Sequence, residues 1–108
     1  MSISDFVCYV LKVPADLNGF VYTCKAIKHV LESGGEPNFY EALEKELNKN
    51  RGCIERCLRL AKEKALKRML KSDYKKIFGD MENIKGKEFI CYSAQYYRKE
   101  FMNEDQGS

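Results

Sequence analysis

The stretch YEALEKELNKNRGCIERCLRLAKEKALKRM, residues 40–69, decides the fold. It reads as a short helix, a tight turn at Asn48 to Asn50, and a long second helix expected over 51–69, the punctuation of a helix-turn-helix. In the second helix Ile54, Leu58, Ala61, Ala65 and Met69 recur every three or four residues and stack into one inward stripe. Turning about 100° per residue from Ile54 places Gly52, Arg56, Arg59, Glu63 and Lys67 roughly opposite that stripe. A buried stripe with a basic outward face suits a helix that enters the major groove of DNA. Asn50 is the expected N-cap. Because such a helix reads bases chiefly with its first turns, Arg51, Cys53, Glu55, Arg56 and Arg59 are the residues to watch.

Charge supports the same focus. The net charge is only +3, but it is unevenly placed. Residues 45–76 hold twelve Lys or Arg against four Asp or Glu, a net +8, whereas 1–44 sum to −3 and 77–108 to −2. Such clustering is the footprint of a polyanion partner. The same charges also suit a solvated helix face, because Lys62, Glu63, Lys64 and Lys67 alternate in sign.

Outward from this centre the chain reads as all-α, a compact bundle of about six helices around the helix-turn-helix. Its 108 residues allow one domain, in which roughly 65% of the unfolded surface can be buried. Residues 1–102 form that domain, and 103–108 a flexible tail. The first helix is expected near 3–12, with Ser4 or Asp5 as N-cap, an apolar stripe of Ile3, Phe6, Val7, Val10 and Leu11, and a stop before Pro14. A turn from Val13 to Gly19 leads to a second helix near 18–33, whose inner face is Phe20, Cys24, Ile27 and Leu31 and which Gly34 and Gly35 end. Pro37 suits the first turn of a third helix, after Glu36, with Phe39, Leu43 and Leu47 on one side. After the recognition helix, Ser72 or Asp73 caps a short helix through Tyr74, Ile77 and Phe78, closed by Gly79. The last helix, KEFICYSAQYYRKEF, buries Phe89, Ile90, Ala94, Tyr97 and Phe101. Its tyrosines Tyr92, Tyr96 and Tyr97 suit core and rim, or a dimer contact.

Other function classes find little footing. Five cysteines, Cys8, Cys24, Cys53, Cys57 and Cys91, are an odd number without paired spacing, which points to a reducing cytoplasm. Cys8, Cys24 and Cys91 fall among apolar positions as small core residues. No metal site is expected, since Cys53 and Cys57 stand alone at i, i+4 and His29 is the single histidine. His29 has no nucleophile or carboxylate near it in sequence and is expected to be a partly exposed structural residue. The longest apolar runs, of four or five residues, are far short of a membrane span, so no membrane partner is expected. With no phosphate-binding glycine loop and no nucleophile elbow, the chain is not expected to be an enzyme, and neither catalytic residues nor a cofactor are expected.

The order of these signals resembles one family, the C-terminal DNA-binding effector domain of stage zero sporulation protein A, the master response regulator of endospore-forming bacteria. The matching pieces are VPADLNGFVYTCKAI at 13–27, YEALEKELN at 40–48, IERCLRLA at 54–61, Phe78 with Gly79, and KEFICYSAQYYRKE at 87–100. The resemblance implies six helices with a central helix-turn-helix and binding to a short box of double-stranded DNA. It also implies tandem copies or a homodimer on DNA, contacts between copies through the last helix, and the sigma subunit of RNA polymerase as a partner. Glu55, Arg56 and Arg59 match the Glu, Arg and Arg of the family's recognition helix, Asn48 its turn asparagine and Lys45 a lysine near its backbone-contacting side. Three positions depart from it. Cys53 stands where the family has a base-contacting arginine, Leu60 where it has a histidine, and Glu44 where it has a small residue. A lost arginine at guanine changes discrimination by about 1–3 kcal/mol at that base, so the box read is expected to differ. In the family a phosphoacceptor receiver domain precedes the effector. Here the effector follows the MSISDF start directly, which favours a stand-alone version over a domain cut from a longer protein.

The expected function is therefore a sequence-specific transcription regulator. Base contacts would fall to Glu55, Arg56 and Arg59, with Glu55 accepting from a cytosine amino group and an arginine donating twice to guanine. Phosphate contacts would fall to Lys45, Lys49, Asn50, Arg51 and Lys62, with Lys67 beyond them. The alternative is a protein-interaction module that keeps the fold without reading DNA, suggested by Cys53 and Leu60 on a face that should be polar.

Overall fold

The computed structural model describes residues 1–34 and 38–102, and these form six helices with no strand. Helix α1 (Ile3–Asp5) runs on into a π-wound segment, Phe6–Val10. There the Leu11 amide donates to the Phe6 carbonyl five residues back, at 3.0 Å. The wider winding brings Phe6, Val7 and Leu11 to the core together. The helix thus stops short of residue 12, where Lys12 takes a positive φ of 65° and turns the chain toward Pro14. Its cap is Ser2, not Ser4 or Asp5. The Ser2 hydroxyl accepts from the Asp5 amide at 3.1 Å, because a helix beginning at Ile3 places Ser4 and Asp5 inside its first turn.

Helix α2 (Asn18–Glu32) ends with Gly34 at φ +75°. Its deep face is not the expected one. Gly19, Tyr22, Thr23, Ala26, Ile27 and Val30 are buried, and of the expected four only Ile27 lies among them; Phe20, Cys24 and Leu31 pack at the flank. The reason is the neighbour, α4 (Arg51–Arg68). A Cβ on Gly19 would lie 2.4 Å from the Cys57 carbonyl oxygen and 2.8 Å from the Ala61 Cβ, so the two helices meet backbone to backbone. Small residues make that approach possible and carry little hydrophobic signal.

Helix α3 (Phe39–Leu47) buries Phe39, Tyr40 and Leu43. The expected roles of Gly35, Glu36 and Pro37 lie outside the described residues, as does the tail, 103–108. In α4 the whole expected stripe, Ile54, Leu58, Ala61, Ala65 and the following Met69, is buried. Met69 and Leu70 are extended, and α5 (Lys71–Phe78) starts at once with Leu70 at its N-cap. This abrupt restart puts Ser72 and Asp73 inside the helix, so neither caps it; Gly79, at φ +68°, closes it as expected. Helix α6 (Gly86–Tyr97) continues into a second π-wound segment, Arg98–Met102. Phe89, Ile90, Ala94 and Tyr97 are buried, Phe101 and Tyr96 lie at the rim, and Tyr92 is exposed.

Long-range contacts close the bundle. The Phe6 ring packs on Tyr96, Tyr97 and Phe101, and the Tyr97 hydroxyl donates to the Met1 carbonyl. Arg98 donates to the Leu31 carbonyl at 2.9 Å, satisfying the end of α2. Val13 and Ile84, both loop residues, complete the core, which single apolar residues outside any periodic run do not announce. The radius of gyration, 13.1 Å, is that of one compact domain of this length. Among the cysteines, burial pushes the Cys24 thiol to about 11, so at neutral pH it is a protonated packing group. Cys8, Cys24 and Cys91 are half-buried and stand at the margin of the core instead of within it.

Two substitutions test this packing. Gly19→Ala should destabilise the fold by about 1–3 kcal/mol, because the obstructing atom is backbone and the helices must separate. Ser93 is fully buried and its hydroxyl has no hydrogen-bond partner among the described residues, so Ser93→Ala should leave stability unchanged or raise it by up to about 1 kcal/mol. Urea unfolding midpoints measure both.

Candidate nucleic-acid interface

Three residues join α3 to α4. Asn48 adopts the left-handed conformation, φ 54° and ψ 46°, which asparagine tolerates well, and the Asn48 and Lys49 amides both return to the Glu44 carbonyl. Asn50 is extended, and its side-chain oxygen accepts the Cys53 amide at 2.8 Å, the expected cap. The turn thereby fixes where the first turn of α4 emerges. Glu44 is half-buried on α3, and the close helix approach is the one Gly19 makes between α2 and α4.

On the outward side of α4, Gly52, Glu55, Arg56, Arg59, Leu60, Glu63 and Lys67 are exposed. Neither Arg56 nor Arg59 forms an ion pair among the described residues. Glu55 is engaged. Arg51 lies with its guanidinium 4.6 Å from the centre of the Tyr40 ring and donates through Nε to the Glu55 Oε1 at 3.0 Å. An exposed i, i+4 pair contributes only about 0.2–0.5 kcal/mol, so it orients both side chains without fixing them.

The phosphate-side expectations divide. Lys49 is exposed in the turn, and Lys45 is exposed on α3 with Glu41 3.7 Å away. Asn50 spends its oxygen on the cap. Lys62 donates to the Ile84 carbonyl at 2.7 Å, which pins the loop before α6 against α4 and makes this lysine partly structural.

That loop supplies residues the sequence did not single out. A groove of about 420 Å³ runs beside α4, lined by Tyr40, Arg51, Glu55, Arg59 and Lys62 on one side and by Lys85, Gly86 and Lys87 on the other. Five cations thus face one carboxylate, and the N-terminal end of α6 opens into the same space, where its own Glu88 carboxylate accepts the Lys85 amide at 3.0 Å. Lys85 and Lys87 belong to a segment whose summed charge is negative, so only their position in space reveals them. The one available signal was a glycine between two lysines at a helix start.

The other flank of α4 differs. Cys57 and Leu60 meet Leu17, Asn18 and Gly19 around a depression of about 250 Å³, with Asp16 at its edge. Burial, and then the neighbouring Cys53, push the Cys57 thiol up, while Arg56 and Lys49 act in the opposite direction. Away from this face, His29 stands 3.0 Å from Glu46, which also binds Lys25 at 2.9 Å, joining α2 to α3. The hydrogen bonds from His29 and then Lys25 lower the Glu46 carboxyl.

Among the described residues no three His, Cys, Asp or Glu side chains come together as a metal site, and no helix is long and apolar enough to cross a membrane. Comparison with protein-family models, with curated proteins and with solved structures finds no match.

The first turn of α4 should answer two substitutions with opposite signs. Asn50→Ala loses the cap and should cost about 1 kcal/mol. Gly52 is exposed, and the nearest atom to a Cβ there is the Asn50 side-chain oxygen at 3.4 Å, so Gly52→Ala should stabilise by about 0.5–1 kcal/mol. Thermal unfolding of both variants checks the pair.

Proposed function

We propose that the chain is a sequence-specific DNA-binding transcription regulator, of the kind its sequence resembles, which presents α4 to the major groove. The observation that carries this is the exposure of Arg56 and Arg59, neither of them in an ion pair among the described residues, on a helix whose flank opens onto a groove with five cations. Protruding arginines are suited to paired hydrogen bonds with guanine, and the groove to a phosphate strand. Glu55, steadied by Arg51, would accept from a cytosine amino group through its second oxygen. Lys85 and Lys87 would take phosphates beside those held by Lys49 and Arg51. An exposed glycine at the second position of α4 allows close approach of the duplex to the helix backbone. Tandem copies along the DNA and the sigma subunit of RNA polymerase are further partners that the resemblance proposes.

A protein-interaction module is the competing reading, supported by Leu60, which is 45% exposed on the same helix. Selection of bound duplexes from a random pool separates the two. An enriched motif supports the regulator, and a pool that stays random supports the module.

On a selected duplex, log K should fall linearly with log salt, by about 0.9 for each phosphate neutralised. Lys87→Ala should weaken all sequences alike and reduce that slope by about 1, whereas Arg56→Ala should flatten the preference at one base pair, worth about 1–3 kcal/mol. Identical effects of the two changes on matched and scrambled duplexes would sink this division of roles.

A further inference from the structure

The outward face of α4 has two edges of different chemistry. Measured from Ile54 at about 100° per residue, Glu55 and Arg59 lie near 100–140°, while Cys53 and Leu60 lie near 240–260°, with Arg56 between the edges at about 200°. The second edge is apolar. Leu60 is 45% exposed, Cys53 and Cys57 are half-exposed, and the depression beside them is walled by Leu17 and Gly19. Arg56 adjoins it on the wheel and Lys49 is exposed in the turn before α4, while Asp16 is the one charged residue lining the depression itself.

An apolar edge bordered by cations selects its occupant by charge. An apolar protein surface laid here would desolvate Arg56 and Lys49 without pairing them. A duplex pairs those cations with phosphate or guanine and presents one apolar group in its major groove, the thymine C5-methyl. Along the axis, Cys53 and Leu60 are seven residues apart, about 10 Å, which is close to three base steps. We propose that Cys53 and Leu60 read thymine C5-methyl groups on either side of the base pair contacted by Arg56. This rests on α4 being the groove-reading helix and adds which bases flank its arginine contact. Leu60 supplies the larger surface, and Cys53, at the third position of the helix, a smaller contact near the turn.

The test uses the full chain and the motif enriched from random duplexes. Each thymine of the motif is replaced in turn by deoxyuridine, which removes the methyl and keeps the base pairing. Affinity should fall about three- to six-fold at one or two thymines, the worth of one methyl withdrawn from an apolar contact. Leu60→Ala, at an exposed position where folding is not in question, should bind the thymine and uracil duplexes equally at one of them. A motif indifferent to deoxyuridine at every thymine overturns the methyl assignment and leaves groove reading standing. Failure to enrich any motif overturns both. If 5-methylation of a cytosine in the motif raises affinity more than loss of any thymine methyl lowers it, thymine is not the base read and the proposal falls.

Discussion

The contact on which the structure depends is the backbone approach of α2 to α4. Gly19 lies against the Cys57 carbonyl and Ala61, and the Thr23 hydroxyl turns back to the Gly19 carbonyl at 2.6 Å, so no polar side chain intrudes between the helices. This seats α4 deep enough for Ile54, Leu58, Ala61 and Ala65 to vanish from solvent. It also sets the rotation of α4. With that stripe held inward, Arg56, Arg59 and Leu60 have no direction left but outward.

Around that helix the molecule divides its electrostatic labour. Glu46 gathers His29 and Lys25 and ties α3 to α2, so this carboxylate is spent on holding the scaffold. Arg51, at the start of α4, is held loosely: it rests on Tyr40 and a single carboxylate, each interaction worth up to about 1 kcal/mol at an exposed site. Weak mutual pairing leaves such side chains oriented yet available to a stronger anion.

How much was legible in the sequence follows from what kind of signal each feature carries. The α4 stripe and the Asn48–Asn50 turn were readable because both are local: a period near 3.6 and residues with distinctive backbone preferences. The buried face of α2 was not, because large apolar residues dominate a periodicity count while the true contact is made by Gly19, Thr23 and Ala26. The caps at Ser2 and Leu70 slipped because they depend on where a helix begins, the least certain feature of any periodic run. At the candidate interface, Arg56 and Arg59 were visible on the wheel. Lys85 and Lys87, and the bond from Lys62 to Ile84, were invisible because they arise from a chain reversal more than twenty residues away.

The clasp between the first helix and the last has a kinetic meaning. The bond from Tyr97 to Met1 joins groups 96 residues apart, whereas Arg51 and Tyr40 meet across a turn. Loop-closure entropy grows with the logarithm of that span, so the clasp bears about 2 kcal/mol more of it than the helix-turn-helix does. Its opening exposes one aromatic cluster, Phe6 with Tyr96, Tyr97 and Phe101. Amide exchange should therefore be slowest where α2 meets α4, with the two ends of the chain opening together.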